Sequence, residues 1–259
     1  MALGTQNKPF AMSNLERQVP DTRPDPTPPA MREFEAKVVS CERCPRLREH
    51  CLEVARVKRR AFRDWEYWGR PVPSFGDPTA RLLIIGLAPA AHGANRTGRM
   101  FTGDSSGDFL YRTLYETGFA SQPVSTHRGD GLVLRDAYIT AAAHCAPPGN
   151  KPTREEFELC RPYLEEEIEL LLNVEVVIVL GRLALDTYLK ILLDRGLIEK
   201  RSMYAFGHAV RHRLPSGLPN LLCSFHPSRQ NTQTGRLTPA MFLQVFRQAR
   251  RLIDGKPQE

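Results

Sequence analysis

Two of the six cysteines are spaced so that their thiolates could share one metal centre. Cys41 and Cys44 form a C-x2-C pair, a spacing that turns two thiolates toward a common point. Two more ligands must come from elsewhere, on loops or helix ends, with Cys51, Cys145, Cys160 and Cys223 remaining. Four thiolates suit either a structural zinc ion or an iron–sulfur cluster, and spacing alone leaves both open. Cys223 lies in an apolar run and reads as core.

A second group of residues could do polar chemistry on a bound ligand. Three segments are rich in Gly, Pro, His and amides: GLAPAAHGANRTGRMFTGD from Gly86, HCAPPGNKPT from His144, and HPSRQNTQTGRLTP from His226. His226 can donate a hydrogen bond to charge developing on a leaving group. Asp104 can orient water or stabilise a developing cation, or simply cap the helix that follows. Asn150 is a polar candidate that also reads as a turn residue of PPGN, and His92 is a weaker one in the first segment.

These residues need a frame. Apolar runs at 81–86, 136–143, 175–181 and 220–225 read as strands. Helical stretches fall between them at 106–117, from Thr153 onward, and near 183–193, with a last helix opening at Thr238–Pro239 and running to Ile253. Thr153 and Glu156 match a capping box. The alternation predicts an α/β fold: a three-layer α/β/α sandwich with a central, mainly parallel four-stranded sheet. In such sheets ligands sit at the carboxyl ends of the strands, where all three polar segments begin. Residues 31–63 read as helical, and DWEYWGRPVPSFGDP as a loop. The Pro-rich residues 1–30 predict a disordered arm, leaving 31–259 as a single domain.

The three polar segments together resemble the uracil-DNA glycosylase superfamily, most closely its family 5, the type-b enzymes of bacteria and archaea. The similarity extends over roughly 39–253. It implies a base-excision-repair enzyme that flips a damaged base into a pocket and hydrolyses its N-glycosidic bond. It implies that Phe101 stacks on the base, with Ala88 and His92 lining the pocket. It implies that Ser228, Arg229 and Gln230 contact DNA, with Arg229 or Gln230 filling the gap left by the flipped base. It also assigns Cys41, Cys44, Cys145 and Cys160 to a structural [4Fe–4S] cluster. Superfamily members strict for uracil carry polar residues where this chain has Leu87, Ala88 and Ala141. The implied substrates are therefore uracil and deaminated purines such as hypoxanthine and xanthine in DNA.

The net charge of +7 fits a polyanionic partner. The basic run ARVKRRAFR reads as a phosphate-contacting strip or a solvated face. No apolar run approaches the roughly 18 residues of a membrane helix, and a cytoplasmic monomer is expected. Neither G-x4-G-K-[ST] nor G-x-G-x-x-G follows the first strand, which argues against a phosphate-handling hydrolase. A non-enzymatic, metal-stapled DNA-binding protein and an electron-transfer protein are the remaining alternatives.

Overall fold

The computed structural model describes residues 27–255. Its four buried strands are β2 (Leu82–Gly86), β3 (Ala137–Ala141), β4 (Val176–Leu180) and β6 (Asn220–Ser224), all mutually parallel where they pair. Two further strands of two residues each close the edges antiparallel, β1 (Phe75–Gly76) and β5 (Arg211–His212), so the sheet has six strands in the order β1-β3-β2-β4-β6-β5. The sequence reading lacked both edges. Two residues are too few to show an alternating pattern, and β1 lies inside the stretch read as loop.

Alternate residues of each strand feed two cores. Leu82, Ile84, Ile139, Ile178 and Leu222 face α4 (Ser105–Glu116) and α8 (Pro239–Ile253). Leu83, Ile85, Tyr138, Val177 and Val179 face α1 (Pro29–Val39), α5 (Arg154–Leu170) and α6 (Arg182–Asp194). Strands buried on both faces explain why these segments read as unbroken apolar runs. The result is the expected three layers.

Helix starts follow their capping residues. Thr153 Oγ1 accepts from Glu156 N while Glu156 Oε2 accepts from Thr153 N, the reciprocal pair of a capping box. Thr238 caps α8, whose first residue is Pro239. Residues 31–63 are not one helix. The chain breaks after Val39, and Pro45 opens α2 (Pro45–Val57), with Cys41 and Cys44 in the turn between them. Pro29 and Ala30, within the stretch read as an arm, already belong to α1; the rest of that stretch up to residue 26 lies outside the described region, as do residues 256–259. No described helix is long and apolar enough to cross a membrane.

At the amino ends of the strands, Asp136 receives Arg81 through both carboxylate oxygens (3.0 and 2.7 Å) and Arg250 at 3.0 Å. This clasp joins β2, the entry to β3 and the end of α8, on the side of the sheet opposite the polar segments.

Candidate active site

Strand order reverses between β2 and β4: β2 leads to β3 on one side, and β4 and β6 lie on the other. The switch point lies at the carboxyl ends of β2 and β4, where sheets of this kind bind ligands. The segment after β2 folds over it, through the short α3 (Ala94–Thr97), and β6 delivers His226 to the same place.

Phe101 and His226, far apart in sequence, meet there. Their rings stack with centroids 5.8 Å apart and planes 30° from parallel. Phe101 has φ +52°, a left-handed backbone that a bulky residue adopts only where its surroundings over-determine it. Those surroundings are visible. Its ring lies over Gly86, where a Cβ would sit 2.9 Å from Cε2 and Cζ, and its carbonyl presses on Gly107, where a Cβ would sit 1.7 Å away. The turn is held from beneath by Arg99, buried and paired with Asp130 at 2.7 Å. Arg99 also donates to Thr102 Oγ1 (2.9 Å) and Ser125 Oγ (2.7 Å), and Tyr111 Oη donates to Met100 O at 2.8 Å.

His226 is set by its backbone. Its carbonyl accepts from Asn231 Nδ2 at 2.8 Å. The preceding peptide N–H, that of Phe225, donates to His208 Nδ1 at 3.3 Å, and the His208 ring stacks on Phe225 at 5.1 Å. Neither ring nitrogen of His226 has a hydrogen-bond partner among the described residues, which leaves both for a ligand. Burial pushes the imidazole down to about 4, so it is neutral in ordinary buffers.

Asp104 is the helix cap its sequence context allowed, and its second oxygen is turned away from that cap. Oδ1 caps α4, accepting from Ser106 N at 2.9 Å and Gly107 N at 3.0 Å. Oδ2 lies against Gly93, where a Cβ would sit 2.0 Å from it. Burial raises this carboxyl above its usual range, against the two N–H donors and Arg96, which lower it.

The other candidates are placed as follows. Leu87 and Ala88 are half-buried at the exit of β2, and Ala141 is buried at the end of β3. His92 is half-buried, with Nδ1 3.1 Å from Tyr67 Oη. Asn150 is exposed, in a 3-10 turn with φ +57°, and the structure records no contact from it to Phe101, Asp104 or His226. Residues 228–232, read as a polar loop, instead form part of a short helix, α7 (Arg229–Gln233). Ser228 caps it, and Arg229 and Gln230 are exposed on its first turn.

Cys41, Cys44, Cys145 and Cys160 all line one small, partly open cavity between the α1–α2 turn, the exit of β3 and α5. The apolar Val38, Leu47, Pro71 and Leu159 share the lining with Arg43, Arg48, His144 and Tyr163. The four thiols surround the space; among the described residues no three His, Cys, Asp or Glu side chains converge as a single-ion site. Cys51 is buried beside them, with Sγ 3.6 Å from Ala146 O, and is not part of the lining. Cys223 is fully buried in β6.

The sequence model of the uracil DNA glycosylase superfamily matches residues 73–250, which contain the whole sheet except part of its helical cover. The chain belongs to that superfamily. It is accordingly a DNA glycosylase, a hydrolase. Among curated relatives, the type-5 uracil-DNA glycosylase of Thermus thermophilus is 52% identical over 219 residues, covering 85% of this chain and 96% of the relative. Those of Mycobacterium leprae (49% over 221 residues, 85% and 94%) and Pyrobaculum aerophilum (43% over 217 residues, 84% and 91%) are similar over the same span. Arg99 and its partners escaped the sequence reading. A basic residue inside the apolar-flanked GRMF string was the available signal, but Asp130 lies in a loop with no pattern of its own.

Proposed function

We propose that the chain excises uracil, and with it deaminated purines such as hypoxanthine and xanthine, from DNA. The observation that carries this reading is the stacked Phe101–His226 pair at the strand ends, with Asp104 three residues on from Phe101 in the same segment. A flipped base can lie on the exposed part of the Phe101 ring, while His226 donates to the base as it leaves and Asp104 steadies the water or the sugar cation. The apolar Leu87, Ala88 and Ala141 support the broader substrate range. A wall without hydrogen-bonding groups leaves none unpaired when the base changes, so it discriminates weakly. Exposed Arg229 and Gln230 and the net charge of +7 suit a DNA partner. The reading is of a monomer acting in the cytoplasm.

Oligonucleotides carrying uracil, hypoxanthine or xanthine, incubated with the protein and cleaved with alkali, test this. Strand breakage is expected at all three. Breakage at uracil alone removes the purines from the reading, and intact strands throughout overturn it.

The same reading includes a [4Fe–4S] cluster held by Cys41, Cys44, Cys145 and Cys160. Four thiols lining one small cavity, with Arg43 and Arg48 beside them, fit that donor set. Such a cluster would cross-link α1 and α2 to the sheet, and hydrolysis asks no electron of it. Anaerobically purified protein is expected to be brown, with about four irons per chain. Cys41→Ser is expected to lose them and to lower the melting temperature. Colourless protein with stoichiometric zinc would sink the iron assignment.

A further inference from the structure

Arg96 is the one buried cation of the first loop that the chemistry above leaves unused. It is 3% exposed and makes no ion pair among the described residues. Its guanidinium lies over the rings of Phe62 at 3.9 Å and Trp65 at 4.1 Å. Nη1 is buried with no hydrogen-bond partner. A buried charge without a counterion is costly, and arginine bears it better than lysine because its planar face stacks on aromatic rings.

Its remaining donors show what the group does. Nε donates to His92 O at 2.8 Å and Nη2 to Gly103 O at 2.7 Å. His92 precedes Gly93, whose α-carbon abuts Asp104 Oδ2; Gly103 precedes Asp104 itself. Arg96 thus grips the backbone on both sides of the carboxylate. A Cβ at Gly103 would sit 2.4 Å from Nη2, so the grip also depends on that glycine. The charged groups acting on Asp104 are Arg96, which favours its ionised form, and Asp108, which opposes it, together with the N–H groups of Ser106 and Gly107.

We propose that Arg96 is a positioning residue for Asp104: it clamps the loop around the carboxylate and sets an uncancelled positive charge behind it, with Phe62 and Trp65 as the cover that keeps water off the clamp. This rests on Asp104 acting in base excision.

The test is the pH dependence of single-turnover excision from a uracil oligonucleotide, with binding to an abasic oligonucleotide measured in parallel. Arg96→Met is expected to slow excision by about tenfold or more, since small misplacements of reacting groups are costly. Its acid limb is expected to move to higher pH, with product binding unchanged. Arg96→Lys retains the charge but not the fork, so its limb should stay in place while its rate falls. The double variant Phe62→Ala, Trp65→Ala opens the clamp to solvent screening and should move the limb in the same direction as Arg96→Met; it serves if Arg96→Met does not fold. An unmoved limb in folded Arg96→Met, or in the double variant when Arg96→Met is unfolded, overturns the clamp. Asp104→Asn separates the two ideas. If it excises at the wild-type rate, the reading of Asp104 has failed; if it is inactive while the limb stays put, only the clamp has failed.

Discussion

His226→Ala is expected to slow single-turnover excision of uracil by about 10²–10³-fold, the range for removing one fixed donor to a developing anion. The side chain is placed for this. It leaves the carboxyl end of β6, its carbonyl is fixed by Asn231, and its ring is braced by Phe101. Because burial holds the imidazole near 4, a donor role would be that of a neutral ring, and the rate should show no inflection at the usual histidine value near 6.5. The stability consequence has a definite sign. The unfolded chain binds a proton at this site near 6.5 and the folded one only near 4, so folding is undisturbed above 6.5 and loses stability as pH falls from about 6.5 to about 4. Bases whose anions are more stable lean less on the donor, so uracil and xanthine should differ in their sensitivity to the substitution. Single-turnover rates, with the fold checked by circular dichroism, decide the matter; a folded His226→Ala variant at wild-type rate would falsify the assignment.

Asp104 calls for a pair of substitutions, because one carboxylate caps a helix and is also proposed to act in the chemistry. Asn caps helices about as well as Asp. Asp104→Asn should therefore keep the two N–H contacts of α4 and the melting temperature, yet lose about 10²-fold in excision as the negative charge disappears. Asp104→Ala should lose that and, in addition, roughly 1 kcal/mol of stability from the missing cap. Thermal melts and single-turnover rates on both variants give the answer. A stable, fully active Asp104→Asn would reduce the residue to a cap. In the wild-type enzyme excision should decline in acid at a pH above the ordinary carboxylate range, since burial raises this group.

Much of the site was legible because strand-end chemistry follows from topology. Once 81–86 and 220–225 read as parallel strands, Phe101 and His226 had to lie at the same end of one sheet, despite their separation in sequence. Their stacking was not legible: it depends on the left-handed turn at Phe101, which Arg99 and Asp130 hold from a distance. The capping box at Thr153 was legible because its partners are three residues apart. The helix at Arg229–Gln233 was not, since its run of polar residues has no apolar period and only the Ser228 cap marks its start. The pattern placed Cys160 in α5, but only the family resemblance put it with Cys41 and Cys44, because the turn between α1 and α2 that brings those two to the same cavity leaves little trace in the helical pattern. Asn150 kept both of its readings into the structure, and its exposed left-handed turn explains why an Asn stands there.

The glycines around the first loop form a negative cast of its working side chains. Gly86 is the imprint of the Phe101 ring, Gly93 of the Asp104 carboxylate, Gly103 of the Arg96 guanidinium, and Gly107 of the Phe101 carbonyl. With glycine at these places, each group packs directly against backbone, which restricts the conformations open to it. Part of their conformational entropy is then given up when the chain folds. A base bound there would leave less ordering to be done on the protein side, and more of the stacking free energy would remain to offset the cost of taking that base out of the helix.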